Sequence, residues 1–308
     1  MPAPAAIPAE ARAAILSWYA LAGRPLAFRR TRDPYAILVA EVMAQQTQAG
    51  RAADYWERFM TRFPTVRVLA AATPADVLRV WQGLGYDRRA VGLWRIARIV
   101  VDTHGGQIPS TVTTLEGLPG VGPYTARAVA AFAFGLPVGA VDVNVRRVLS
   151  RIMAGTGSMG AVAVQATADA SVPVDRPGEW THALMDLGAT ICRARAPRCP
   201  ACPARSWCAY AAAGEGVTGP TARPDPARHA VREPAAPFAS TNRWLRGRIL
   251  DRLRAAPDRT WVPLGDGIGE HAPARVREAA TRMAADGVIE LQPYSQATDT
   301  LRARLPLA

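Results

Sequence analysis

Four cysteines, the only ones in the chain, lie together near residue 200. Their pattern is C-x6-C-x2-C-x5-C, formed by Cys192, Cys199, Cys202 and Cys208. Thiolates in so short a stretch can converge on one centre, either a zinc ion or an iron–sulfur cluster. The clustering favours a metal site over disulfides, and sulfur chemistry alone does not choose between the two kinds of centre.

A carboxylate interrupts an apolar run in VAEVMAQQTQ, residues 39–48, and an unbroken polar patch follows it. On a helix predicted over residues 34–48, Glu41 shares a face with four residues three or four positions away, Ile37, Leu38, Ala44 and Gln45. A carboxyl group in apolar surroundings holds its proton more strongly, as a general acid near neutral pH must. The alternative is a structural glutamate paired with one of the many arginines.

The segment LEGLPGVGPYTA, residues 115–126, joins two predicted helices through a glycine-rich turn. Gly120 and Gly122 can adopt backbone conformations closed to other residues, and they leave no side chain in the way. A phosphate could then approach the free N–H groups at the start of the following helix. This LPGVG turn, which includes Leu118 and Val121, is the helix–hairpin–helix signature of sequence-independent DNA binding, although most isolated turns of this kind only join helices.

A single aspartate, Asp142 in GAVDVNVRRVL, follows an apolar segment and precedes an amphipathic helix. For an isolated aspartate the simpler role is that of a helix N-cap. The functional alternative is a carboxylate held beside a cationic transition state.

Helices must position these residues, because periodic apolar patterns with short Gly/Pro turns run from about Ala9 to Ala213. Alternating strand patterns are almost absent, so the fold class predicted for residues 1–213 is all-α. The predicted helices cover residues 8–22, 34–48, 50–63, 74–82, 88–104, 111–116, 124–134, 143–153, 160–171 and 178–190.

The C-terminal part differs in composition from this helical body. Residues 214–240 are rich in Pro, Gly and Ala, which is typical of a linker. Residues 241–308 predict a small winged-helix-like domain: a capped helix from Thr241 or Asn242 with Trp244 facing inward, a second helix, and short strands in VIELQ and LRARL. Four of its arginines could contact DNA, although an exposed basic helix face is the simpler interpretation: Arg243, Arg246, Arg248 and Arg252.

The formal net charge is +12, and arginine dominates the basic residues. Such an excess attracts polyanions, although a GC-rich genome also favours arginine. No apolar run is long enough to span a bilayer, and the start MPAPAAIPAEARAAIL lacks the features of a secretory signal. We expect a cytoplasmic, nucleoid-associated bacterial protein that acts as a monomer and has no membrane partner.

The spacing of the four cysteines resembles the [4Fe–4S] loop of the endonuclease III superfamily of DNA glycosylases. The order of hairpin, helix, Asp142 and cysteine loop is similar to that superfamily over roughly residues 10–210. The resemblance implies a helix–hairpin–helix glycosylase fold of two helical subdomains with a cluster loop at residues 192–208. It also implies a [4Fe–4S] cofactor and a catalytic role for Asp142.

Three segments are similar to the MutY family of adenine DNA glycosylases: EVMAQQTQ, GLGYDRRAVGL (83–93) and HALMDLGATIC (182–192). This resemblance implies that Glu41 protonates N7 of a flipped-out adenine, while Asp142 stabilises the positive sugar and Asn144 orients the carboxylates. Tyr124 occupies the slot where bifunctional relatives carry a nucleophilic lysine, so strand cleavage by that route should be absent or slight. Residues expected to contact DNA are Gln45, Gln46, Thr47, Tyr86, Leu118, Gly120, Val121 and Gly122.

Some positions depart from the MutY pattern or have simpler interpretations. Without the resemblance, Gln45 and Gln46 are a solvated polar face and Tyr86 is a core aromatic. Ala44 stands where the family usually has leucine after Glu-Val-Met, and Asp87 replaces the second tyrosine of the family's GLGYY motif. The family's Pro-Trp is replaced by Ala-Phe at residues 27–28. The NUDIX-like C-terminal domain that reads 8-oxoguanine is not evident in residues 241–308, which leaves the opposite-base preference open.

The sequence thus predicts a monofunctional base excision repair glycosylase. It would hydrolyse the N-glycosidic bond of adenine mispaired with 8-oxoguanine or guanine in double-stranded DNA. Two alternatives stay open: a thymine or uracil mismatch glycosylase on the same fold, and a non-catalytic lesion-binding protein. The presence of both Glu41 and Asp142 argues against the second of these.

Overall fold

The computed structural model describes residues 5–214, 237–293 and 300–307. Contacts group the chain into two compact units, each built from two segments: Met1–Glu41 with Ile108–Ala230, and Val42–Gln107 with Val231–Ala308. Most of the predicted linker, residues 214–240, lies outside the described residues. None of the helices in the described part has the length and apolar character needed to cross a bilayer.

The first unit is helical, and its core lies between the apolar faces of α1, α9, α10 and α11. Ile15, Leu149 and Trp180 are fully buried there. α11 packs against α1, α8 and α9, so the side chains of three other helices meet along its faces. The helices are α1 (Ala9–Ala22), α2 (Pro34–Ala44), α7 (Val112–Glu116), α8 (Pro123–Phe134), α9 (Val143–Ala154), α10 (Ala161–Ser171), α11 (Pro177–Thr190) and α12 (Ala209–Ala212).

The second unit contains four further helices of the body and the whole described C-terminal module. The four are α3 (Ala49–Arg62), α4 (Val66–Ala71), α5 (Pro74–Val80) and α6 (Arg88–His104). α4 and α5 pack on α6, and Phe59 meets Trp81 edge to face in the core. The sequence prediction missed α4, because six residues of VRVLAA offer less than two turns of periodicity; Thr65 caps this helix by accepting from the Val68 N–H.

The α2 helix ends at Ala44, whereas the sequence predicted a helix to residue 48. Gln46 has a φ of 56°, in the left-handed region, which stops the helix. The carbonyl groups that would continue it, those of Val42, Met43 and Gln45, instead accept hydrogen bonds from the Arg89 guanidinium. The polar patch that begins at Gln45 therefore forms a turn after the helix, not a helical face.

The C-terminal module pairs α13 (Asn242–Ala255) with α14 (Pro273–Ala285) beside a small antiparallel sheet. β3 (Arg302–Arg304) lies between β1 (Val262–Pro263) and β2 (Glu290–Leu291). The two predicted strands are present as β2 and β3, and β1 is an additional strand. Thr241 caps α13 as predicted, but Trp244, predicted to face inward, is only half-buried and stacks on His271. Apart from this sheet the described structure is helical, which confirms the predicted fold class.

Candidate active site

Glu41 lies near the end of α2 and is only 7% exposed. Burial raises the pKa of its carboxyl group to about 7, and nearby Asp142 adds to the shift. A hydrogen bond from the Tyr124 hydroxyl and the charge of Arg29 act in the opposite direction. Desolvation dominates, so this carboxyl group is poised to be half-protonated near neutral pH.

One oxygen of Glu41, Oε2, is buried and has no hydrogen-bond partner among the described residues. Glu41 lines a cavity of about 580 Å³. A buried polar atom without a partner costs free energy, on the order of 1–3 kcal/mol. Glu41 therefore combines a position on the wall of this cavity with a buried carboxyl oxygen that has no partner among the described residues.

Two arginines that line the same cavity, Arg24 and Arg29, form ion pairs with Asp186, which the sequence analysis missed. Asp186, from α11, is inaccessible to solvent and accepts from Arg24 Nε (2.7 Å) and the Arg24 backbone N–H (2.8 Å). It also accepts from Arg29 Nη1 (2.8 Å) and Nη2 (2.9 Å). Burial alone would raise the pKa of Asp186, but the hydrogen bonds and charge of Arg29 hold it below its usual value.

A signal for Asp186 was present in the sequence: a lone carboxylate in the apolar helix WTHALMDLGAT, the same feature that singled out Glu41. His182, one turn before it on α11, also lines the cavity and stacks on Phe132 with ring centroids 4.0 Å apart. Burial and the charge of Arg29 lower the pKa of His182 to about 3. Its imidazole is therefore neutral at pH 7 and offers one donor and one acceptor.

Asp142 is the N-cap of α9, which is the simpler role that the sequence suggested for it. One carboxylate oxygen accepts from the backbone N–H groups of Asn144 (2.9 Å) and Val145 (2.7 Å). The other accepts from the Asn144 side-chain amide at 2.9 Å. These donors fix the carboxylate at the start of the helix, where the helix dipole favours negative charge.

Asp142, Glu41 and Tyr124 form one group, hereafter the carboxylate cluster. Each carboxyl group raises the pKa of Tyr124, and Asp142 raises that of Glu41, although burial is the largest cause in both cases. Tyr124 lies in the first turn of α8, directly after the glycine-rich hairpin. The structure thus brings together three predicted catalytic residues, of which Glu41 lies more than 80 positions before the other two in the sequence.

Asn144, the fourth predicted catalytic residue, joins Asp142 to the cysteine loop. Its side-chain oxygen accepts from Arg147 Nη2 at 2.8 Å, and Arg147 Nε donates to the Cys192 carbonyl at 2.7 Å. Arg147 also donates to the Gly188 carbonyl at 2.7 Å. A Cβ on Gly188 would come within 2.6 Å of the Asn144 Cβ, so glycine is needed for this close approach of α11 to α9.

The hairpin before α8 is present, but its glycines differ in conformation. Gly120 has a φ of 80°, which favours glycine, whereas Gly122 is the N-cap of α8 with a φ of −91°, open to any residue. Of the two glycines, only Gly120 uses the conformational freedom that the sequence analysis noted for both. Leu118 and Val121 are buried, so these two residues could offer DNA only backbone groups.

The four cysteines surround one small pocket and form no disulfide. Burial raises the pKa of the Cys202 thiol to about 11 and also raises that of Cys208. Arg151 Nη1 lies 3.4 Å from Cys192 Sγ, which places a cation beside the sulfur atoms. Among the described residues, no three histidine, cysteine, aspartate or glutamate side chains are grouped so that they could hold a single metal ion.

In the second unit, Arg89 organises two loops that carry predicted DNA contacts. Beyond the α2 carbonyls, its guanidinium donates to Thr47 Oγ1 at 3.3 Å and to the Gly85 carbonyl at 3.1 Å. It lies over the rings of Trp81 and Tyr86, 5.4 Å from each centroid. Burial lowers the pKa of Arg89 to about 10, so it stays charged at neutral pH. The sequence analysis missed this residue.

Tyr86 is 43% exposed, so the alternative of a core aromatic is wrong. Its φ of 51° is left-handed, as is that of Gln46 in the other loop. Gln46 is exposed, whereas Gln45 and Thr47 are half-buried. Within this unit Arg89 therefore holds two strained, partly exposed loops in place.

The family model described as "HhH-GPD superfamily base excision DNA repair protein" matches residues 39–173. An adenine DNA glycosylase of Mycobacterium tuberculosis is 42% identical over 79% of this chain and 78% of its own length. That of Mycolicibacterium smegmatis is 38% identical over 90% of this chain and 91% of its own length.

Solved structures give the same fold. A thermostable thymine-DNA glycosylase superposes with a TM-score of 0.62 at 29% identity, over 66% of this chain and 95% of its own. The protein of a non-covalent endonuclease III–DNA complex gives a TM-score of 0.57 at 25% identity, over 66% and 94%. The predicted resemblance is confirmed: the chain belongs to the adenine DNA glycosylase family, within the HhH-GPD superfamily of base excision DNA repair proteins.

Proposed function

We propose that this protein hydrolyses the N-glycosidic bond of adenine mispaired with 8-oxoguanine or guanine in double-stranded DNA and leaves the strand intact. Membership of the family confirms the coarser prediction, a base excision repair glycosylase acting on adenine. The observation that carries the residue-level proposal is Glu41, which is buried, has a pKa of about 7, lines a cavity and has one carboxyl oxygen without a partner among the described residues.

Glu41 acts as the general acid in this proposal. Because its pKa of about 7 keeps a proton on Glu41 available near neutral pH, it can donate a hydrogen to N7 of a flipped-out adenine and make the base a better leaving group. Neutral His182 and Arg29, whose guanidinium is paired with Asp186, supply polar groups on the wall of the same cavity. These groups suit the polar edge of a base better than an apolar ligand.

Asp142 stabilises the positive charge that develops on the sugar as the base departs. Its carboxylate is held by Asn144 and the start of α9, so little rearrangement is needed. Tyr124 donates to Glu41 and also feels the charge of Asp142, so its hydroxyl interacts with both acids. Water then attacks the sugar and completes the hydrolysis.

Strand cleavage through a Schiff base needs an amine nucleophile. Tyr124 occupies the position after the hairpin, and the printed sequence contains no lysine at any position. No lysine side chain can therefore form an imine with the sugar. This supports the monofunctional assignment.

The cysteine loop fits a [4Fe–4S] cluster, which we include in the proposal. All four cysteines face one pocket, with Arg151 beside Cys192 to compensate negative thiolates. When bound, the cluster would cross-link the end of α11 to the start of α12. Analysis of the purified protein should give iron and acid-labile sulfide in equal amounts; zinc in their place would contradict this part of the proposal.

The substrate assignment is tested with a panel of duplexes containing A:8-oxoG, A:G, T:G and U:G pairs. After incubation with the protein, hot alkali cleaves the strand wherever a base has been lost. We expect cleavage at adenine in the first two duplexes only, and no cleavage before alkali. The Asp142→Asn variant serves as the inactive control.

The panel also tests the thymine or uracil alternative, which the structural similarity to a thymine-DNA glycosylase keeps relevant. Release of thymine or uracil with adenine untouched would establish that alternative. Binding of all duplexes without release of any base would establish a non-catalytic lesion-binding protein.

A further inference from the structure

We propose that Arg243, at the start of α13, binds a backbone phosphate of the DNA beside Tyr86, which makes the C-terminal module part of the DNA-binding surface. The proposal rests on the proposed function only in that the ligand is duplex DNA. It concerns the second unit, where α13 and the loop of residues 83–87 belong to one compact body.

The module is attached to this loop by an ion pair. Asp87, which replaces the second tyrosine of the family motif, accepts from Arg254 Nη2 at 2.9 Å. The Arg254 side chain is 8% exposed and also donates from Nε to the Leu78 carbonyl at 3.2 Å. A half-buried pair with a second hydrogen bond fixes the distance between α13 and the loop.

Near this attachment, Arg243 lies over the ring of the partly exposed Tyr86. The Arg243 guanidinium lies 5.4 Å from the Tyr86 ring centroid. Arg89 lies at the same distance from this ring, but Arg89 is buried whereas Arg243 is exposed. The Nη2 atom of Arg243 is 3.5 Å from the place where a Cβ on Gly85 would lie. Arg243 is exposed, and no described acidic side chain forms an ion pair with it.

The other arginines suggested by the sequence are accounted for differently. Arg246 pairs with Asp286 at 2.8 Å, and Arg248 pairs with Asp251 at 2.6 Å. Arg252 lies nine residues after Arg243, about 2.5 helical turns, and so projects from the opposite side of α13. Arg243 alone among the four combines exposure with a position beside Tyr86.

The surroundings favour an anion as the ligand. Arg51 donates to the Gly83 carbonyl, so a further cation flanks the loop. The acidic residue of the loop, Asp87, is already paired with Arg254. A guanidinium on an aromatic ring keeps its outward N–H groups free for a phosphate oxygen. An aromatic ring beside a cation is also the arrangement that holds unstacked bases and their backbone.

The test compares Arg243→Ala with Arg252→Ala, which removes the same charge from the far side of the same helix. Binding of the full-length protein is measured by fluorescence anisotropy on a duplex with a non-hydrolysable adenosine analogue, opposite guanine or 8-oxoguanine, over a range of salt. For Arg243→Ala we expect weaker binding to both duplexes and a salt slope shallower by about 0.9. Arg252→Ala should match the parent, and Arg243→Lys should restore most of the slope.

Equal slopes for the parent and Arg243→Ala, or equal losses in both alanine variants, would overturn the assignment. Weakening on only one of the two duplexes would overturn the phosphate as ligand, since phosphate contacts are indifferent to the opposite base. Base release by the parent, measured alongside, separates the two proposals. Normal release with unchanged Arg243→Ala binding rejects the role of Arg243, whereas a parent that neither binds nor releases adenine rejects both.

Discussion

The carboxylate cluster of the first unit and the loop of residues 83–87 in the second unit use ionisable groups in opposite ways. In the carboxylate cluster and the adjoining cavity, burial moves side chains toward their neutral forms: the pKa of Glu41 is raised to about 7 and that of His182 is lowered to about 3. Beside the loop of residues 83–87, Arg89 keeps its charge and donates hydrogen bonds to backbone carbonyl groups. The first arrangement suits proton transfer, and the second suits a fixed surface that binds an anion.

Glu41 and Asp186 show that burial alone does not set this difference. Both carboxyl groups are buried in the first unit, yet the pKa of Glu41 is raised and that of Asp186 is lowered. Asp186 has donors from Arg24 and Arg29 on both oxygens, whereas Oε2 of Glu41 has none among the described residues. The hydrogen bonds and charge of paired arginines therefore decide which buried acid keeps its charge.

The largest expected effect is on chemistry in the first unit. Glu41→Gln keeps the size and polarity of the side chain but cannot give up a proton, so single-turnover adenine release should fall by about 10²–10⁴-fold. Binding to the same duplex should stay within a few-fold of the parent. Loss of binding in proportion to the loss of rate would show that Glu41 holds DNA and does not transfer a proton.

Much of this comparison could be predicted from the sequence, for identifiable reasons. Glu41 was found because a carboxylate in an apolar helix is conspicuous, and Asp142 and the cysteines because motif and spacing identify them. Asp186 shows the same feature as Glu41, but its partners Arg24 and Arg29 lie more than 150 positions earlier, and no local pattern predicts such a pairing.

Arg89 could not be found in this way, because its guanidinium hydrogen-bonds the carbonyl groups at the end of a helix more than 40 residues earlier. The sequence therefore predicted a helix to residue 48. The same limitation hid the Asp87–Arg254 pair, which joins residues 167 positions apart. Local propensity predicts elements, whereas these contacts depend on how the elements pack.

A second, smaller effect is expected in the pH dependence of base release. Only protonated Glu41 can donate, so the rate should fall up to about tenfold per pH unit above pH 7. Tyr124→Phe removes a hydrogen bond that lowers the pKa of Glu41, so this descending limb should move to higher pH whatever happens to the maximal rate. The measurement is single-turnover release between pH 6 and pH 9.

The control for this profile is Glu41→Gln, whose remaining activity should not follow the same limb. A limb that persists in Glu41→Gln, or that stays at the same pH in Tyr124→Phe, would assign the titration to another group. Because Arg29 and Asp142 also act on the pKa of Glu41, neither is altered in this series.

The smallest effect is expected for Arg89→Met, which tests the second unit. Methionine retains much of the packing on Trp81 but leaves the α2 and Gly85 carbonyls without their donor. Water can replace part of what is lost, so the free energy of unfolding should decrease by about 1–3 kcal/mol. DNA binding should weaken, because both loops lose their common attachment, while the pH limb set by Glu41 should not move. Arg88→Met, at the exposed neighbouring position, removes the same charge and should leave stability unchanged; equal losses in the two variants would mean that the charge, and not the carbonyl contacts of Arg89, stabilises the loops.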